Sequence, residues 1–175
     1  MNNDISEIIP GLYISNWFAS NNENIIEEYN IKLVITVETR EKPSNILDYY
    51  NKNKIHHIHY YLDDHPNADI KRFFDHSESI INEYIRNNKN VLVHCYAGIS
   101  RSATIVLNYL LKDYYIYNNI YDSPEFSLNY ILNFCKGKRR FVNPNIGFMK
   151  QLLLKTYEYD LNYNHYNLYD KKFDY

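Results

Sequence analysis

The hydrophobic pattern along the chain alternates between two periods. Short runs rich in β-branched and aliphatic residues read as strands: IIPGLYIS (8–15), IKLVITVE (31–38), KIHHIHYYL (54–62) and NVLVH (90–94). The first of these reads as two short strands around a Pro-Gly turn. NENIIEEYN (22–30) has the spacing of a short amphipathic helix, and REKPSN (40–45) that of a loop. After the polar turn DDHPNAD, a longer helix runs to Arg86, with Ile70, Phe73, Phe74, Ile80, Ile81 and Tyr84 on its apolar face and Asp69 or Asn67 as its cap. RSATIVLNYLLKDYY (101–115) reads as a helix. Ser123-Pro124 opens another through about Phe134 or Cys135, with Ser as cap and Pro at the first helical position. Asn143-Pro144 opens a last one through about Tyr157. The stretch DLNYNHYNLYDKKFDY shows neither period and reads as a loosely attached tail. The expected organisation is one domain over 1–158 and a tail over 159–175, with no internal repeat. Strands alternating with helices around the apolar 90–94 strand predict an α/β fold, a central twisted and mostly parallel sheet flanked by helices.

Composition narrows the possible partners. A length of 175 residues suits one domain, and a formal net charge of −2 argues against nucleic acid as the main partner. No apolar run approaches the ~20 residues of a membrane span, and the start MNNDISEIIPGLYIS lacks the regions of a signal peptide, so no membrane partner is expected. With two cysteines, the natural setting is reducing and intracellular, hence cytoplasmic, or for a virus the host cell or virion. Asn, Ile, Tyr and Lys are abundant and all have A/T-rich codons, so tyrosine and asparagine counts carry little weight by themselves.

The chemistry concentrates in VLVHCYAGISRSAT (91–104), where a strand runs into His94-Cys95, then a short loop, then Arg101-Ser102 and a helix. Inward-pointing loop amides and a helix N-terminus form a site for an anion. Gly98 gives the loop a conformation that other residues resist, while Ala97 and Ser100 keep it from filling its own cavity. Arg101 offers a planar fork of donors for two phosphate oxygens. The field that holds a phosphate also favours a thiolate, so Cys95 is the expected nucleophile on phosphorus.

HCYAGISRS resembles the His-Cys-five-residues-Arg-Ser/Thr signature of cysteine-dependent protein phosphatases, in the form typical of dual-specificity phosphatases. The likeness extends to EIIPGLYIS as an opening strand pair and to RRFVNPNIGFMKQL as a closing helix. It implies that Cys95 forms a phosphocysteine and that Tyr96, Ala97, Gly98, Ile99, Ser100 and Arg101 form the phosphate loop. Ser102 would stabilise the departing thiolate, and His94 would set the loop as a buried partner. Asn145 would buttress the loop, unless it is simply a residue of the first helical turn. The chemistry also needs an acid for the leaving oxygen. The family spacing, counted back from Phe74, lands on Asp64, with Asp63 as its rival and Asp69 read as the helix cap. Ser15 departs from the pattern, standing where the family has glycine, and the segment 112–127 is longer than usual.

Other signals are read structurally. His57 and His59 share one face of a strand while His56 points away, and no acidic or cysteine partner is spaced nearby, so these are edge or surface histidines rather than metal ligands. Neither a metal nor a cofactor is expected. KGKRR (136–140) closes a helix, with a role in attracting acidic substrates as the alternative, and Arg139 matches the family's arginine before Pro-Asn. Cys135 reads as a packed residue, with a protective disulfide to Cys95 as the alternative. The expected function is hydrolysis of phosphotyrosine and phosphoserine/threonine in proteins. A non-protein substrate (phosphoinositide or RNA 5′-phosphate) and a non-catalytic phosphate-binding module are the alternatives.

Overall fold

The computed structural model describes residues 4–117 and 123–169, with Tyr117 and residues 164–169 as backbone. Among the described residues, five strands form one sheet: β1 (Ile5–Ile9), β2 (Leu12–Ser15), β3 (Ile31–Val37), β4 (His56–Tyr60) and β5 (Asn90–His94), in the order β1-β2-β5-β3-β4. Only the β1–β2 hairpin is antiparallel; β2, β5, β3 and β4 run parallel. Val91 to His94 of β5 are all buried, because the central strand of a parallel sheet is covered on both faces.

The helices divide between the two faces. On one side α1 (Trp17–Ser20), α2 (Glu23–Glu28) and α3 (Ser44–Lys52) bury Ala19, Ile26, Ile46 and Tyr50 against Tyr13, Val34 and Leu92. On the other, α4 (Phe74–Arg86), α5 (Arg101–Tyr117), α6 (Pro124–Lys138) and α7 (Ile146–Tyr169) pack on Ile14, Ile35 and Val93. Phe74 and Phe148 are fully buried there, each contributing about 2–3 kcal/mol of transfer free energy. The predicted fold class is the one found.

Three elements depart from the sequence reading. The helix α3 was not indicated by the pattern, since its buried face amounts to Ile46 and Tyr50, one turn apart. The helix over the 67–86 region begins later than its cap suggests. Asp69 Oδ1 accepts from the backbone N–H of Arg72 at 3.3 Å, a 3-10 turn spans Lys71–Phe73, and α4 starts at Phe74. The largest correction concerns the end of the chain. The helix α7 does not stop near Tyr157 but continues to Tyr169, so residues 159–169 are helical rather than a tail without period, and the rest of the expected tail lies outside the described residues. Phe148, Leu152, Thr156 and Tyr159 are buried and Tyr163 is half-buried against the core. The period is carried there by tyrosines, whose weight the codon argument had removed. Of the long segment 112–127, residues 118–122 lie outside those described; α5 runs to Tyr117, and Ser123 caps α6 by accepting from Phe126 N–H.

Candidate active site

Cys95 stands at the carboxyl end of β5, at the centre of the sheet, and Arg101 is the first residue of α5. The loop between them is held from outside through its carbonyls. Arg139 Nε donates to Gly98 O at 2.8 Å and its Nη2 to Ala97 O at 3.2 Å. Trp17 N–H donates to Tyr96 O at 2.9 Å and Asn143 N–H to Ile99 O at 2.9 Å. With these carbonyls held from outside, the Gly98 N–H turns inward and lies 3.3 Å from Cys95 Sγ. Gly98 has φ +68, and a Cβ there would stand 2.5 Å from Ser15 O and 2.7 Å from Arg139 Nη2. Glycine is thus required by conformation and by space. Ser15, the departure from the family pattern, sits as a regular residue of β2 with its hydroxyl donating to Asn16 O at 3.0 Å.

Cys95 is almost fully buried, and its sulfur receives a second donor, Ser102 Oγ at 3.3 Å. His94 is wholly buried, and burial, with the Lys42 charge, holds its imidazole well below the ordinary histidine range. It is therefore neutral; its Nδ1–H donates to Cys95 O at 3.2 Å. Arg101 is also buried. Its Nη1 donates to Glu38 Oε1 at 2.9 Å and to Leu62 O at 3.1 Å, while Nε has no hydrogen-bond acceptor among the described residues. Burial pushes the Glu38 carboxyl upward, but the bond and charge of Arg101 together with the donors of Thr39 hold it below the ordinary value. The pair fixes one edge of the guanidinium and leaves the Nε side for an oxyanion.

The loop after β4 delivers one of the two candidate acids to this pocket. Asp64 Oδ1 accepts from Ser100 Oγ at 2.7 Å and from Asn145 Nδ2 at 2.8 Å, and its Oδ2 lies 3.7 Å from Arg101 Nε. Asp63 is exposed and accepts the backbone N–H of Asp64 at 2.9 Å. Asn145 stands just before α7: its Oδ1 accepts from Phe148 N–H at 3.0 Å, its Nδ2 ties Asp64 in place, and its backbone N–H donates to Ser100 Oγ of the loop at 3.2 Å. Gly147 lets this loop pack on α7, since a Cβ there would meet Pro66 O at 1.8 Å. Gly147→Ala is expected to displace the loop and destabilise the chain by about 1–3 kcal/mol, which thermal denaturation followed by circular dichroism checks.

Four participants were missed or undervalued in the sequence. Glu38 lies at the end of an apolar run, and nothing local marks it as the partner of Arg101, 63 positions away. Leu62 contributes only a carbonyl. Trp17 reaches the loop through its backbone. Arg139 does more than close α6: it is buried, and burial lowers its guanidinium below the ordinary value. Its match to the family's arginine was the signal that could have found it. Cys135 is free and wholly buried in α6, its thiol pushed up to about 12 by burial.

Residues 12–158 match the family model for the dual specificity phosphatase catalytic domain. The chain is 32% identical over 147 residues to Dual specificity protein phosphatase 1 of Arabidopsis thaliana, covering 84% of this chain and 66% of that protein. It is 30% identical over 148 residues to Dual specificity protein phosphatase 9 of Homo sapiens, covering 84% of this chain and 35% of the human protein. The crystal structure of DUSP15 superposes with a TM-score of 0.77 at 24% identity, covering 99% of both chains. The matched family model and the fold place the chain in the protein tyrosine phosphatase superfamily. Within it, the chain belongs to the dual-specificity phosphatase family. It spans about two thirds of the length of the plant relative and about a third of the human one. Among the described residues, no helix is long and apolar enough to cross a membrane.

Proposed function

We propose that this chain hydrolyses phosphotyrosine and phosphoserine/threonine in proteins through a phosphocysteine intermediate. The observation that carries the reading is that the Cys95 sulfur lies under the loop that ends at Arg101, whose buried Nε lacks a hydrogen-bond acceptor among the described residues and has Asp64 Oδ2 3.7 Å away. Cys95 Sγ attacks phosphorus; the S–P bond forms as the bond to the leaving oxygen breaks. Arg101 and the loop amides bind the equatorial oxygens, where charge is greatest in the transition state. Both hydrogen bonds to Asp64 fall on Oδ1, which leaves Oδ2 as the oxygen that hands a proton to the leaving oxygen. The same carboxylate then takes a proton from water, which attacks phosphorus and releases phosphate and the Cys95 thiolate. Ser102 Oγ–H, aimed at the sulfur, stabilises that anion. His94 is neutral and turned to the backbone, a supporting group and not a base. The chemistry uses no metal or cofactor. The partners are phosphorylated proteins, and the setting is the reducing cytoplasm that keeps Cys95 reduced. Relatives named dual-specificity phosphatases support the substrate class.

The test separates the two aspartates. Asp64→Ala is expected to lower kcat on a phosphotyrosine peptide by about 100-fold or more, and by less on an aryl phosphate whose leaving group needs no proton. Asp63→Ala should leave both rates within about threefold, as for a surface change away from the reacting atoms. A crippled Asp63→Ala beside an unaffected Asp64→Ala reverses the assignment.

A further inference from the structure

Two histidines of the edge strand β4, His57 and His59, are half-buried and hydrogen-bonded toward the site. Val34, Ile35 and Thr36 of β3 pair in register with His57, Ile58 and His59 of β4, and Thr36 also pairs with His94 of β5. Thr36 thus stands between the edge strand and the strand that ends at Cys95. Its Oγ1 lies 2.8 Å from His57 Nε2 and 2.8 Å from His94 Nε2. The protons in this chain can be assigned. Cys95 O accepts only, so His94 Nδ1 carries the donated proton. His94 is neutral, so its Nε2 is bare and accepts the Thr36 hydroxyl proton. That hydroxyl has one proton, now used, and its contact to His57 therefore receives the Nε2–H of His57. Burial and the nearby Lys42, His59 and His56 lower His57 to about 4, so it too is neutral at pH 7.

His59 serves the other side of the pocket. It lies two residues on and on the same face, with its ring stacked on Tyr61 at 3.9 Å. Its Nε2–H donates at 2.9 Å to the backbone carbonyl of Glu38, the residue whose carboxylate grips Arg101. His56 points away, to Tyr84 OH at 3.1 Å.

We propose that His57 and His59 are paired positioning residues, His57 aligning the nucleophile through Thr36 and His94, His59 aligning Arg101 through Glu38. The inference rests on the phosphatase reading of the site. It follows that the two arms affect different kinetic constants.

Long-range proton–nitrogen correlation spectra of the isotope-labelled full chain report the tautomers directly. The expected result is a proton on Nδ1 of His94 and on Nε2 of His57; a proton on Nε2 of His94 or on Nδ1 of His57 overturns the proposal. Substitutions test the division of labour. Thr36→Val should lower kcat about tenfold with KM within about threefold, the effect of one buried hydrogen bond, and Thr36→Ser should restore kcat. His59→Phe should weaken binding of orthovanadate about tenfold, and His59→Gln, which keeps a donor, should recover it. Conservative and disruptive variants behaving alike would overturn the assignment. The tautomers and vanadate binding require no turnover. A chain that hydrolyses no phosphoester contradicts the phosphatase reading, whereas wrong tautomers contradict the positioning role alone.

Discussion

Cys95→Ser is expected to abolish turnover of phosphopeptides and of p-nitrophenyl phosphate, by at least about 10⁴-fold, while phosphate-mimic binding persists. A hydroxyl under the same two donors, Gly98 N–H and Ser102 Oγ, remains a weak nucleophile at neutral pH, because an alkoxide is far harder to form than a thiolate. The fold should survive. Cys95 is buried at the end of β5, the serine oxygen can accept the same donors, and the volume change is small. A loss of about 1 kcal/mol in stability is the expected scale. Thermal denaturation beside steady-state kinetics checks both halves, and the variant's retained vanadate binding shows the pocket intact.

Arg101→Lys is expected to lower kcat/KM about 1,000-fold. The guanidinium does two jobs at once: Nη1 is committed to Glu38 and Leu62 O, and the Nε side faces the position of Asp64 Oδ2. A lysine ammonium can neutralise Glu38 but cannot also present a second edge to two oxygens of a phosphate. Lysine is the informative replacement because alanine would leave Glu38 buried without its partner, at a cost of about 3–5 kcal/mol, and would confuse folding with catalysis. Kinetics on an aryl phosphate read the effect where leaving-group protonation is not demanding.

What could be read from the sequence was the part encoded locally. The strands have β-branched runs, the cap Ser123 and the Pro at position 124 sit side by side, and the cysteine, glycine and arginine of the loop lie within seven consecutive positions. What escaped depends on pairing across the sheet or on tertiary contacts. Glu38 earns its role only because β3 lies next to β5 and brings it beside Arg101. The histidines of β4 read as edge or surface residues until the sheet placed Thr36 between His57 and His94 and set His59 on the Glu38 carbonyl. Asp64 and Asp63 are neighbours with the same chemistry, and only the fold turns the first toward Ser100 and Asn145. The extension of α7 was hidden because its buried positions past Tyr157 are tyrosines, which composition alone could not distinguish from codon bias.

The claim on which the account depends is that the Cys95 sulfur becomes bonded to phosphorus during the reaction. Rapid mixing of the wild-type chain with a radiolabelled phosphotyrosine peptide, acid quenching within the first turnover and peptide mapping measures this directly. The account predicts label on the Cys95 peptide that is acid-trapped, decays as phosphate appears, and is absent from Cys95→Ser. Phosphate released at the full steady rate with no label ever reaching Cys95 would contradict it.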